Sequence, residues 1–257
     1  MSRKVDSDVS RLEAEALVAS VPAWHHRFEI APGLITPGTY EPGFLLEKMG
    51  LPEDLSGRRV LDLGASDGFF SLEARRRGAR VVAVDYRPKD LHGFGIMEQI
   101  SGFDFEYHQI NLYDIDPKAF GTFDLVIFFG VLYHLPDMLK ALWTIRSVCT
   151  SQMFLETHCA NDLDSNLAAA RYYRESTLNN DRTNFWSPNA LCLRDMLYEA
   201  AFNIEHDETW GDRYFARCRI SGRPWRSQKL KLAYGLMPHW PKRKEPQGAD
   251  GTPGSDT

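Results

Sequence analysis

The stretch Arg58-Arg59-Val60-Leu61-Asp62-Leu63-Gly64-Ala65-Ser66-Asp67-Gly68-Phe69-Phe70 passes from an apolar run into a glycine turn and then into a helical pattern. Further apolar runs follow: ARVVAVD at 79–85, FEYHQI at 105–110, FDLVIFF at 123–129 and QMFLETH at 152–158. The early runs are continuous instead of alternating, which is what strands buried on both faces require. Helical stretches separate them: one through Arg77, one over Met138–Val148 and one over about Asn189–Ala201. FNIEHDE from Phe202 and RYFARCRI from Arg213 read as two closing strands. This alternation predicts a doubly wound α/β fold with a mostly parallel, seven-stranded sheet.

Outward from that centre, residues 8–20 carry Val9, Leu12, Leu17 and Val18 at helical spacing, and Val21–Gly43 is a Pro- and Gly-rich loop anchored by Trp24, Phe28 and Tyr40. The expected division is an N-terminal helix and covering loop at 1–50, a ligand-binding domain at 51–220 and a basic tail at 221–257, disordered over Pro241–Thr257. The 257 residues are 43% hydrophobic and 25% charged, which excludes a disordered or collagen-like chain. The longest apolar run, Leu125–Tyr133, is half of what a membrane helix needs, so no membrane partner is expected. Glu13 and Glu15 interrupt the one stretch resembling a signal sequence, which predicts a cytoplasmic protein. Cys149, Cys159, Cys192 and Cys218 lack metal-finger spacing and read as buried thiols, so no metal is expected. The net charge of -5 is uneven: 221–257 holds seven Lys or Arg against three acids, leaving -9 for the rest. That balance disfavours a nucleic-acid partner for the main body.

The turn sits where the first strand ends, at the sheet edge where ligands bind in this architecture. Gly64 and Gly68 permit close backbone approach, and Asp85 stands 21 residues after Gly64, the spacing for a carboxylate that grips ribose hydroxyls. Tyr86 beside it can stack on adenine. A dinucleotide turn would carry glycine where this chain has Ser66 and Phe69, and Asp62 would repel a pyrophosphate while suiting the ammonium and sulfonium of S-adenosylmethionine.

With these residues the D-x-G-x-S-x-G turn resembles motif I of class I S-adenosylmethionine-dependent methyltransferases. That resemblance implies the Rossmann-like methyltransferase fold, with Asn111 and Leu112 at the adenine and Phe129 beside the methionine end. Gly130-Val131-Leu132-Tyr133-His134 and Phe185-Trp186-Ser187-Pro188-Asn189 resemble the family that carboxymethylates wobble uridine in tRNA, over about residues 55–220. That family uses carboxy-S-adenosylmethionine, held by cations ahead of the first strand. Here His26 and Phe44 stand in the places of its lysines, while its tyrosine matches Tyr133 and its late arginine Arg213. Without those lysines the reading moves to ordinary S-adenosylmethionine and methyl transfer.

Methyl transfer asks the protein to align an acceptor and, for a hydroxyl, to remove its proton. His134 leads as base because it follows the fourth strand at the ligand edge. His25 and His26 on the covering loop come next, then His158, with Tyr133 and Arg213 contacting acceptor or methionine end. Three readings follow: a small-molecule O-methyltransferase of undetermined oligomeric state, a tRNA wobble-uridine methyl or carboxymethyl transferase, and a non-catalytic S-adenosylmethionine-binding protein. Asp85→Ala should weaken S-adenosylmethionine binding by about 1 to 3 kcal/mol without unfolding the protein. Calorimetry that found an unchanged affinity would reject the ribose assignment.

Overall fold

The computed structural model describes residues 9–222. The expected disorder of Pro241–Thr257 and all but the first two residues of the basic tail therefore lie outside the described residues. The elements in chain order are α1 (Arg11–Ser20), β1 (Glu29–Ala31), β2 (Leu34–Ile35), α2 (Gly43–Met49), β3 (Arg59–Leu63), α3 (Phe69–Arg76), β4 (Arg80–Asp85), α4 (Phe94–Ser101) and β5 (Glu106–Gln109). They continue with α5 (Pro117–Phe120), β6 (Phe123–Phe129), α6 (Met138–Val148), β7 (Cys149–His158), β8 (Ala170–Tyr172), β9 (Trp186–Pro188), α7 (Ala190–Glu199), β10 (Phe202–Trp210) and β11 (Arg213–Ile220). Single 3-10 turns stand at Leu112–Asp114 and Leu132–His134.

Seven strands form one sheet in the order β10-β11-β7-β6-β3-β4-β5. Neighbours from β7 to β5 pair parallel, and β11 runs antiparallel to both β7 and β10. The chain starts at the central β3, winds outward to β5, then returns across β3 to β6. The strand order therefore reverses between β3 and β6, leaving a crevice at their carboxyl ends. Leu63 sits opposite both Val84 and Phe128, so Gly64, Asp85 and Gly130 share one edge.

The apolar runs divide cleanly between two cores. Val60, Leu125, Ile127 and Phe129 face one layer with α1, α3 and α4; Leu61, Leu63, Val126 and Phe128 face the other with α6 and α7. Burial on both faces is why these strands are continuously apolar. The N-terminal segment belongs to the first core, since Ala14, Val18, Trp24 and Phe28 are buried in it. Trp24 lies so close to Gly93 that a Cβ there would meet its ring at 2.7 Å. The segment expected to be loop over Val21–Gly43 contains the β1–β2 hairpin, and the helix α2 begins where it ends. Between β7 and α7, residues 159–189 form a flap closed by the β8–β9 pair. Among the described residues no helix is long and apolar enough to cross a membrane.

Candidate active site

The turn after β3 holds three residues with positive φ: Gly64 at 73°, Ser66 at 51° and Gly68 at 87°. Each glycine is demanded by its neighbours. A Cβ on Gly64 would lie 2.3 Å from a Val131 methyl, and one on Gly68 would lie 2.3 Å from Met97 Cε. Ser66 adopts the left-handed region with a side chain, at a cost of roughly 1–2 kcal/mol, and Asp85 supports it. The Ser66 N–H donates to Asp85 Oδ2 at 3.0 Å, while the Arg87 N–H donates to Oδ1 at 3.0 Å. Asp85 thus braces the turn from the end of β4 and keeps lone pairs for further donors.

Two more carboxylates are buried around this turn. Asp62 accepts from Ser71 Oγ at 2.6 Å, and burial raises its pKa to about 6. It therefore ties β3 to α3 beneath the turn. Asp67 accepts the N–H groups of His25 (3.0 Å) and His26 (2.7 Å) and pairs with His26 Nδ1 at 2.5 Å. The ring of His26 is buried between Phe69, Phe70 and Tyr40, so the residue expected as a base latches the covering segment to the turn. His25 turns outward and stacks on Tyr40, with ring centroids 5.6 Å apart. The surrounding protein and then His26 lower its pKa to about 4.

Beyond Asp85, Tyr86 is 64% exposed with the Arg87 guanidinium 4.9 Å over its ring. The Ile110 N–H donates to the Asp85 carbonyl at 3.0 Å, which sets Asn111 and Leu112 beside the β4 end. Asn111 Oδ1 caps the 3-10 turn by accepting the Tyr113 N–H, and Leu112 is buried. The adenine-side residues expected from the sequence are therefore neighbours in space.

On the other side of the crevice, Phe129 packs on Phe70 and Phe215, and Gly130 follows with φ 68°. A Cβ on Gly130 would meet nothing within 4 Å, so this wall stays open. Arg213 at the start of β11 grips the buried Glu156 with two hydrogen bonds, from Nε to Oε1 and from Nη2 to Oε2 at 2.6 Å. Its guanidinium lies 5.2 Å over the Tyr133 ring. Burial opposes the charge of Arg213, but the Glu156 carboxylate outweighs it and holds the guanidinium protonated. Burial and then Glu156 push the Tyr40 phenol up to about 12, so it remains a hydrogen-bond donor. His158 is committed elsewhere, with Nδ1 on Ser187 Oγ at 2.5 Å and Nε2 3.0 Å from Asp212.

His134 ends the 3-10 turn that follows Gly130, and its Nδ1 meets Thr183 Oγ1 at 2.8 Å. Burial lowers its pKa below the usual histidine value, keeping the imidazole neutral near pH 7. Of the sequence-derived residues, Gly64, Ser66, Gly68 and Asp85 converge on the turn, and Tyr133 packs against both His134 and Arg213. Sequence reasoning missed Asp67 and Glu156. An acid inside the apolar strand QMFLETH was the available signal for the latter. Trp24 is core, and Trp210 packs on Phe44 and Lys48.

Three buried carboxylates around one turn suit a cationic adenosyl ligand and repel a diphosphate. The open face of Gly130 leaves room for such a ligand. Two outcomes are expected. Gly64→Ala should destabilise by about 1 to 3 kcal/mol, and combining it with Val131→Ala should return part of that loss in urea unfolding. Asp62 binds its proton more tightly folded than unfolded, so its contribution to stability is present at low pH and lost as pH rises through about 6. The stability of Asp62→Asn relative to the parent should therefore rise by roughly 1 to 1.5 kcal/mol between about pH 5 and about pH 7.5, read from urea midpoints.

Comparison with known proteins agrees with this geometry. Residues 38–207 match a family described as a methyltransferase domain. The N-terminal domain of EvdMO1, solved with S-adenosylhomocysteine, superposes with a TM-score of 0.61 at 20% identity, covering 85% of this chain and 99% of that one. The 1,6-didemethyltoxoflavin-N1-methyltransferase of Burkholderia thailandensis gives 0.54 at 19% identity, over 70% and 76% of the two chains. The magnesium protoporphyrin IX methyltransferase of Synechocystis PCC 6803 gives 0.52 at 15% identity, over 70% and 77%. At such identities the likeness concerns the fold, whereas the family match spans well over half of the chain. The protein belongs to the methyltransferase-domain family and is a class I methyltransferase whose cofactor is S-adenosylmethionine.

Proposed function

We propose that this methyltransferase acts on a hydroxyl oxygen of a small, ring-bearing acceptor, with His134 as general base. The observation that carries the proposal is a neutral imidazole on the turn directly after Gly130, at the carboxyl edge of β6, with Nδ1 already engaged. S-adenosylmethionine supplies an electrophilic methyl group on its sulfonium. Asp85 would hold the ribose, and Tyr86, Asn111 and Leu112 would flank the adenine. Gly64, Ser66 and Gly68 would receive the amino-acid end over the buried Asp62. Phe129, Tyr133 and Arg213 would wall the methionine side, Tyr133 also touching the acceptor. His26 acts in this scheme by holding the covering segment through Asp67.

The similar structures include one solved in the presence of D-fucose, a 1,6-didemethyltoxoflavin methyltransferase and a magnesium protoporphyrin IX methyltransferase, and all three compounds contain rings. They support a small acceptor here without selecting one. The tRNA reading finds support in the contact between Tyr133 and Arg213, the pair that resembles the carboxymethylating family. Against carboxymethyl transfer, Arg213 already spends two donors on Glu156 and offers a second carboxylate an occupied partner. We further propose residues 1–50 as the covering segment, 51–220 as the catalytic domain and 221–257 as an appended tail. A cytoplasmic setting suits the four free cysteines, three of them buried.

The test is to incubate the protein with S-adenosylmethionine, or separately with carboxy-S-adenosylmethionine, and panels of monosaccharides, phenols and bulk tRNA, and to follow methyl gain from the first donor or carboxymethyl gain from the second by mass spectrometry. Methylation of a small hydroxyl compound is expected, and transfer confined to tRNA would overturn the proposal. His134→Gln should lower kcat by about 10²–10⁴-fold with cofactor affinity within about twofold. The acid limb of kcat/KM should fall below pH 6.5, because burial lowers the His134 pKa and the neutral form is the active one.

A further inference from the structure

The flap between β7 and α7 bears on His134 in a way that the base role alone does not explain. The Thr183 hydroxyl lies 2.7 Å from Asp181 Oδ1 and 2.8 Å from His134 Nδ1. The Thr183 N–H donates to the same Asp181 oxygen at 2.8 Å. Burial works against the charge of Asp181, but the Thr183 hydroxyl and N–H outweigh it and hold the carboxyl below its usual range. An ionised carboxylate only accepts, so the single hydroxyl proton of Thr183 is directed to Asp181. Toward His134 the hydroxyl can then offer only a lone pair, and the proton between them must sit on Nδ1.

We propose that Asp181 and Thr183 are positioning residues that fix His134 as its Nδ1–H tautomer and leave the Nε2 lone pair for the acceptor. The proposal rests on the base role of His134 and adds the device that sets its direction. The flap is anchored to the same turn: the Phe185 N–H donates to the Tyr133 carbonyl at 2.9 Å, and Trp186 Nε1 donates to the Pro136 carbonyl at 3.1 Å. Thr183 and His134 are thereby held in register by backbone as well as side chain. The charged groups around the imidazole are Asp181 on the flap, which favours its protonation, and Arg87 after β4 and Arg213 on β11, which disfavour it. The Tyr133 ring covers one side, with centroids 4.1 Å apart.

The experiment is long-range proton–nitrogen NMR of the full chain labelled with nitrogen-15, with the His134 signals assigned by their loss in His134→Gln. At about pH 7.5, above the unperturbed histidine pKa, Nδ1 should be protonated and Nε2 bare. Thr183→Ser should keep that pattern. Thr183→Val, which removes the hydroxyl acceptor and leaves only the backbone of residue 183 beside the ring, and Asp181→Ala, which frees the hydroxyl proton to turn toward Nδ1, should each shift the tautomer ratio toward Nε2–H by about tenfold or more. Titration calorimetry with S-adenosylmethionine should give affinities within about twofold for all variants, as the relay contributes no cofactor contact. A wild-type His134 found as Nε2–H or as imidazolium, or a ratio unchanged in Thr183→Val, would overturn the relay even while the cofactor still binds. Failure of the wild-type protein to bind S-adenosylmethionine would instead overturn the methyl-transfer reading on which the relay depends.

Discussion

The buried carboxylate of Asp67 is the joint on which the site depends. It lies inside the glycine turn with no solvent exposure, and its partners, two N–H groups and one imidazole, all come from His25 and His26. A carboxylate left buried without partners is destabilised by several kcal/mol, so the turn and the covering segment are stable only together. Gly38 allows this closeness, since a Cβ there would lie 2.1 Å from the His26 carbonyl oxygen. The same clasp stacks His25 on Tyr40, and Tyr40 approaches the Glu156–Arg213 pair. One short-range electrostatic contact thereby joins the covering segment to the glycine turn.

Charge is distributed unequally across the crevice. On the β3–β4 side Asp62, Asp67 and Asp85 are buried together, and desolvation, with a smaller push from Asp85, raises the Asp62 pKa. On the β7–β11 side Glu156 neutralises Arg213, leaving tyrosine hydroxyls and imidazoles as the polar surface. The first side suits a cationic cofactor such as S-adenosylmethionine. His134 stands between them on the turn after Gly130 and is kept neutral by the protein around it.

The strands β3, β4 and β6 and the helix α6 were legible because long apolar runs and an 11-residue amphipathic pattern are local signals. FDLVIFF became β6 with its expected limits, Phe123–Phe129. Helix α4 escaped notice because it has eight residues between Gly93 and Gly102, both in the left-handed region, and the glycines read as loop. Strands β8 and β9 have three residues each, too few for a two-residue period to register. Their existence depends on pairing across residues 173–185, a contact that local sequence does not encode.

The amino-acid sequence by itself determined the doubly wound sheet, the position of the ligand turn and the carboxylate at the end of β4, because each follows from spacing along one strand-turn-helix unit. Tertiary structure alone decided the surroundings of each histidine. His26 and His134 are equally plain in the sequence, yet long-range contacts bury one against Asp67, 41 residues away, and set the other beside Thr183, 49 residues away. A side chain's protonation and direction are fixed by the groups that fold against it, and those groups come from distant parts of the chain.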